Sequence, residues 1–219
     1  MAASIISYSK PFNTDDSFTL QDIVVYCARV SNPGNQSSTT GGEKLLKYLI
    51  DNQHWSPFEM VSICMYIETT RDIARQILRH RSFSFQEFSQ RYAIADLDMV
   101  SREARLQDTK NRQNSIELCE SESDLQERWV EKQEEIAELS KTTYQWALTN
   151  GIAKEQARAV LPEGMTTSRM YMNGTLRSWI HYIQLRSGNG TQKEHKEVAI
   201  ACAKEIAKIF PMIMEFVSV

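Results

Sequence analysis

Two hydrophobic periods divide this chain. In residues 61–70, VSICMYIETT, the apolar Val61, Ile63, Met65 and Ile67 occupy every second place, the pattern of a strand with one buried face. The chain continues directly into RDIARQILRHR, where Ile73, Ala74, Ile77 and Leu78 recur at helical spacing and Arg71, Arg75 and Arg79 step by four along another side. Upstream, residues 17–30 (SFTLQDIVVYCARV) read as a helix with a serine or aspartate start. A polar, glycine-containing loop follows, then a short helix EKLLKYLIDN and a turn around Pro57 in HWSPFEM. Downstream, YAIADLDMV (92–100) reads as a second strand and the polar residues 101–115 as a mobile stretch. Leu118, Leu125, Trp129, Ile136, Leu139 and Trp146 then mark one long helix or two, closed by Asn150-Gly151. Further helices are expected at 154–161, ended by Pro162, at 172–186, and at 192–210, ended by Pro211, with His195 on a helix surface. The class is α/β, of the α+β kind: a mixed sheet with helix in excess and one long helical segment.

A length of 219 residues, 42% hydrophobic and 24% charged, fits one globular domain over 1–219. The four cysteines form no CxxC pair, which argues against a zinc knuckle or a disulfide framework, and no metal site is expected. Cys27, Cys64 and Cys202 read as core thiols; Cys119 has no assignment. The N-terminal residues show no apolar run behind a basic start, and no stretch of about 18 apolar residues occurs. The expectation is a soluble, cytoplasmic protein without a membrane partner.

Charge changes the picture locally. The chain carries a net charge of −3, yet residues 71–91 hold five arginines against Asp72 and Glu87, a local +3. Within RHRSFSFQEFSQR (79–91), the guanidinium forks of Arg79, Arg81 and Arg91 alternate with the hydroxyls of Ser82, Ser84 and Ser89, a donor set suited to phosphate. An isolated RHR triplet is more often a solvated helix face. Here no glutamate stands among the apolar neighbours to compensate the arginines, and anion binding is the better account.

This segment resembles, position for position, the RHRxxSxxxxSxR signature of the flavin-dependent thymidylate synthases. HWSPFEM, ARQILRHR, ARAVLP and LRSWIHYIQLR resemble further elements of that family in the same order, so the likeness spans nearly the whole chain. It implies a homotetramer with FAD bound between subunits, dUMP as substrate, and NADPH and 5,10-methylenetetrahydrofolate as co-substrates. The positions matching FAD contacts are His54, Ser56, Arg79, His80, Arg81, Glu87, Arg177 and His181. Those matching dUMP contacts are Arg75, Gln76, Arg79, Glu87, Phe88, Ser89, Gln90, Arg91, Arg158 and Arg186, with Arg158 supplied by a different subunit. Arg186 matches the arginine that favours ionisation at uracil N3, which would push electron density to C5 without an enzyme nucleophile. Two departures stand out: Thr175 replaces a family asparagine near Arg177, and Gly190 and Thr191 replace a histidine-alanine pair after Arg186. The rival readings are an arginine-rich nucleic-acid-binding module, which the acidic remainder disfavours, and a helical interaction protein built on the acidic residues of 117–138.

Overall fold

The computed structural model describes residues 2–12, 18–38 and 40–218; Ser17, the expected start of the first helix, lies outside them. In chain order the elements are β1 (Ala2–Tyr8), α1 (Leu20–Ala28), α2 (Gly42–Asp51), β2 (Ser62–Thr70), α3 (Arg71–Ile77), β3 (Ser84–Glu87), β4 (Arg105–Gln107), β5 (Ser115–Glu117), α4 (Ser123–Thr149), α5 (Lys154–Ala157), β6 (Thr167–Thr175), α6 (Leu176–Arg186) and α7 (Lys193–Ile206). Short 3-10 turns at Ser56–Glu59 and Pro211–Phe216 carry Phe58 and Ile213 into the core.

One sheet organises the chain, in the order β1-β2-β6-β3. Every pairing in it is antiparallel, so the expected mixed sheet is corrected: β2 and β6 run side by side from Ser62 opposite Thr175 to Thr70 opposite Thr167, with β1 and β3 outside them. The alternation read in 61–70 is realised. Ile63, Met65 and Ile67 are fully buried, and Met170 and Met172 of β6 extend the same face. Ile73, Ala74 and Ile77 of α3, Trp179 and Ile183 of α6, and Val198, Cys202 and Ile206 of α7 belong to the same core. The Trp179 indole N–H donates to the Ile63 carbonyl at 3.1 Å, so the largest buried ring is also hydrogen-bonded to the sheet.

Helix α3 follows β2 without a linker, as the sequence pattern implies, but it ends at Ile77, with Leu78 as C-cap. Arg71 turns inward and is 9% exposed, whereas Arg75 and Arg79 face solvent, so the three arginines do not share one face. The helix expected to begin at 172 begins at 176. Residues 172–175 finish β6, and the Thr175 hydroxyl caps α6 by accepting from the Ser178 N–H. Thr175 thus has a structural use at the place where the family asparagine is missing.

Residues 92–100 form no strand. Their alternating pattern is used to lie along α4: the Ala95 N–H donates to the Tyr144 hydroxyl, and Ala95, Tyr144, Ala147, Ala157 and Leu161 make a second, small core. The stretch 101–115, expected to be mobile, contributes β4 to a hairpin with β5. It is tied to α4 by reciprocal bonds, Arg102 N–H to Gln133 Oε1 and Gln133 Nε2–H to the Arg102 carbonyl. Residues 123–149 do form one long helix, closed by Gly151 at a φ of 77° that glycine adopts without strain. Leu125, Trp129, Ile136, Leu139 and Trp146 remain exposed along it. Only Cys202 of the three expected core thiols is buried; Cys27 and Cys64 are half-buried and Cys119 is exposed. Among the described residues, no helix is long and apolar enough to cross a membrane.

Candidate functional site

The short connection between α3 and β3 sets the signature segment in place. Leu78 and His80 continue the turn with bonds back to Ala74 and Ile77, and Phe83 then enters the core against Trp179, with ring centroids 4.9 Å apart. This anchor leaves Arg79 and Arg81 exposed on either side of a half-buried His80. Neither arginine forms an ion pair among the described residues, and each is therefore available to an anion. The remaining arginines of the segment are compensated by distant carboxylates, which corrects the expectation that they lack partners: Arg71 faces Glu87 at 3.6 Å, Arg75 binds Glu163, and Arg91 faces Glu155 at 3.4 Å. Sequence spacing could not show these pairs because the partners lie on other elements.

Around His80 the structure assembles a polar group from three helices. Arg186, at the end of α6, donates its Nε–H to His80 Nε2 at 2.9 Å. Since that nitrogen accepts, the proton of His80 sits on Nδ1. Burial, with Arg186 and then Arg79 close by, lowers the His80 pKa to about 4, so the ring is neutral at pH 7. His195 is fully buried rather than on a surface, and its Nδ1 lies 3.2 Å from Gln76 Oε1. Burial and the nearby Arg186 lower its pKa to about 3. Its burial was legible in the spacing, because residue 195 shares a helical stripe with Val198, Cys202 and Ile206.

Both histidines keep their folded pKa below the unfolded value of about 6.5, so the unfolded chain binds more protons than the folded one between pH 6.5 and 4. Stability present above pH 6.5 is expected to be lost as pH falls through that window. A melting-temperature series from pH 7 to 4.5 should drop by roughly 3 °C or more, and His195→Leu should flatten the slope. An equal slope in the variant would show that His195 is not buried neutral.

The other predicted residues fall into separate groups. Arg177 and His181 of α6 lie against the Ser56–Glu59 turn and the residue before it, next in sequence to His54: Arg177 pairs with Glu59, and the His181 ring lies 5.0 Å from Trp55. Burial and Arg177 lower the His181 pKa. Glu87 Oε1 accepts from the Ser168 hydroxyl at 2.7 Å, while Phe88 lies under Arg169 at 5.4 Å. Ser89 and Arg91 are exposed, but Gln90 is 3% exposed and its side chain is not presented to solvent. Arg158 donates to the Glu155 carbonyl, and the Glu155 carboxylate faces Arg91, so both arginines contact the same residue. A cleft of about 720 Å³ is lined by the β4–β5 hairpin, residues 188–193 and Trp129. It includes Gln192 but no residue of 79–91. Among the described residues no group of three His, Cys, Asp or Glu is arranged to hold a metal ion.

Fold and site together define an α+β protein that exposes two unpaired arginines, Arg79 and Arg81, on either side of a neutral, half-buried histidine. The family model described as "Thymidylate synthase complementing protein" matches residues 16–212. A "Probable flavin-dependent thymidylate synthase" from Paramecium bursaria Chlorella virus 1 is 47% identical over 213 residues, covering 97% of each chain. A flavin-dependent thymidylate synthase from Synechocystis sp. is 46% identical over 216 residues, again covering 97% of each. Among solved structures, a UMP/dUMP methylase from Streptomyces cacaoi bound with 5-Br dUMP superimposes with a TM-score of 0.83 at 26% identity, over 98% of this chain and 93% of that one. The same methylase is also known with 5-Br UMP, at a TM-score of 0.78.

The chain belongs to the flavin-dependent thymidylate synthase family, and it is an enzyme that uses a flavin. The comparisons give no support to a nucleic-acid-binding module.

Proposed function

We propose that the enzyme methylates dUMP to dTMP, taking the carbon from 5,10-methylenetetrahydrofolate and reducing equivalents from NADPH through FAD. The observation that carries this reading is the Arg186–His80 bond, which joins the arginine assigned to the pyrimidine directly to the triplet assigned to the flavin nucleotide. The exposed, unpaired Arg79 and Arg81 suit a pyrophosphate, and the neutral His80 keeps an Nδ1–H directed away from Arg186 as a further donor. The residues present therefore fit FAD. When bound, the flavin supplies the redox chemistry that no side chain here can perform.

The chain's own residues then bind, orient and stabilise charge. Arg186 holds the uracil edge and stabilises the anion formed on loss of the N3 proton, which activates C5. Ser89 and Arg91, both exposed, take the nucleotide phosphate, with Arg158 supplied by a different subunit. Gln76, Arg75 and Phe88 complete the substrate side, with Glu87 and Gln90 fixing the segment from within. Arg177 and His181, with His54 and Ser56, lie on a different side of α6 from Arg186. This separation supports a homotetramer in which one chain's His54 group and another's His80 group share a flavin, and the exposed Trp129, Leu139 and Trp146 of α4 supply apolar area for such an assembly. On this reading the chain is a single domain, works in the cytoplasm, and needs neither membrane nor nucleic acid.

The test is to incubate purified enzyme with dUMP, methylenetetrahydrofolate and NADPH, with and without added FAD, and to quantify dTMP chromatographically. FAD-dependent dTMP is the expected product. The methylase neighbour, known with both 5-Br UMP and 5-Br dUMP, favours one alternative, that the ribonucleotide also serves. UMP run in parallel decides it: methylation of UMP at a comparable rate would replace dUMP specificity with a broader one, and no product from either nucleotide would refute the proposed reaction.

A further inference from the structure

Full burial of His195 is costly unless both ring nitrogens are satisfied, and here one is not. Nδ1 reaches Gln76 Oε1, but Nε2 has no hydrogen-bond partner among the described residues, and the same is true of the buried Tyr182 hydroxyl nearby, whose ring centroid lies 5.8 Å away. A leucine at 195 would fill the same stripe without orphaning an acceptor. What the imidazole offers that leucine would not is the bond to Gln76.

That bond ends on a residue of the nucleotide group. Gln76 is held twice, because its Nε2–H also donates to Gln192 Oε1 at 2.8 Å. With Oε1 of Gln76 facing the ring, Nδ1 must carry the proton of His195, which leaves Nε2 as the unprotonated orphan. The carboxamide of Gln76 is thus locked by two residues from the start of α7, and it retains one N–H and one oxygen lone pair unused. Those groups match the alternating acceptors and donor on the edge of a pyrimidine.

We propose that His195 is a positioning residue for the nucleotide: with Gln192 it fixes the Gln76 carboxamide in the one orientation that offers its free N–H to the uracil edge. This rests on the reading that Gln76 faces dUMP. His195 touches neither substrate nor flavin, and its effect belongs in substrate binding rather than in the chemical step.

The experiment compares His195→Leu, His195→Asn and Gln76→Ala as FAD-loaded full-length enzymes, measuring KM for dUMP, kcat, flavin content by absorbance and melting temperature. Asparagine places an N–H where imidazole has Nδ1, so it restores the bond to Gln76. Gln76→Ala and His195→Leu are each expected to raise KM roughly tenfold with a much smaller change in kcat, and His195→Asn should stay within about threefold of the parent enzyme. If Gln76→Ala raises KM but His195→Leu does not, the positioning role is wrong. If neither moves KM, the placement of Gln76 against the nucleotide is itself wrong. Equal losses in His195→Leu and His195→Asn, tracking melting temperature, would mean a merely structural histidine and overturn the inference. Should His195→Leu not fold, Gln192→Ala breaks the other hold on Gln76 and is expected to raise KM about threefold; an unchanged KM there overturns it equally.

Discussion

Arg186→Ala is expected to lower kcat for dTMP formation by about 10²- to 10³-fold, the usual cost of deleting a fixed donor aimed at developing charge. On the proposed reading the arginine is held for this purpose. It closes α6, its Nε is committed to His80 Nε2 at 2.9 Å, and the remaining guanidinium nitrogens are left for a ligand. Lysine offers a single point of charge and cannot keep the His80 bond while presenting a fork, so Arg186→Lys should recover little. Two readouts separate this role from a loss of folding. In the alanine variant, residual activity should climb with pH, because ionisation at uracil N3 then follows bulk hydroxide instead of a local cation. The His80 pKa should also rise from about 4, since Arg186 is one of the causes that lower it; burial, the larger cause, keeps it below the free-imidazole value. NMR titration of the histidine ring reports that shift. A kcat within tenfold of the parent would remove Arg186 from the chemistry.

The elements set by one local period were legible in the sequence. The alternation of Ile63, Met65 and Ile67 gave the central strand, the step from Thr70 to Arg71 gave the helix that follows it, and the 123–149 helix showed in its apolar spacing. What was not legible depended on partners distant in sequence. β6 is TSRMYMNGT, whose last four residues were expected to open the following helix, and only pairing with β2 decides for a strand. Residues 92–100 carry a strand pattern but meet α4 instead of a sheet edge, so the hydroxyl of Tyr144 takes the place of a neighbouring strand. The site divides in the same way. The signature 79–91 pointed to the family, but the pairing of Arg75 with Glu163 spans 88 residues and the Gln76–His195 contact spans 119, distances over which no periodicity informs. Burial of His195 was within reach of the helical stripe on α7, and its polarity concealed it.

Gly174→Ala is expected to disturb stability and site together. In β6 this glycine lies under the Phe83 ring: a Cβ at 174 would stand 2.4 Å from Phe83 Cδ1 and 2.6 Å from Cε1, closer than carbon atoms approach. Phe83 cannot retreat cheaply, because its ring is wedged against Trp179 at 4.9 Å and Tyr182 at 6.0 Å, both fully or almost fully buried. The added methyl therefore overpacks a dense core, at a cost of about 1–3 kcal/mol. That cost corresponds to a melting temperature lowered by roughly 3–10 °C for a chain of this size. The ring that must move is three residues from His80, and its backbone N–H bonds to the His80 carbonyl, so the displacement should also weaken flavin retention. A double-mutant cycle isolates the cause: Phe83→Leu removes the edge of the ring that the new Cβ meets, so Gly174→Ala should cost distinctly less in that background than in the parent. Equal costs in the two backgrounds would show that the close approach of Gly174 to Phe83 does not govern this part of the core.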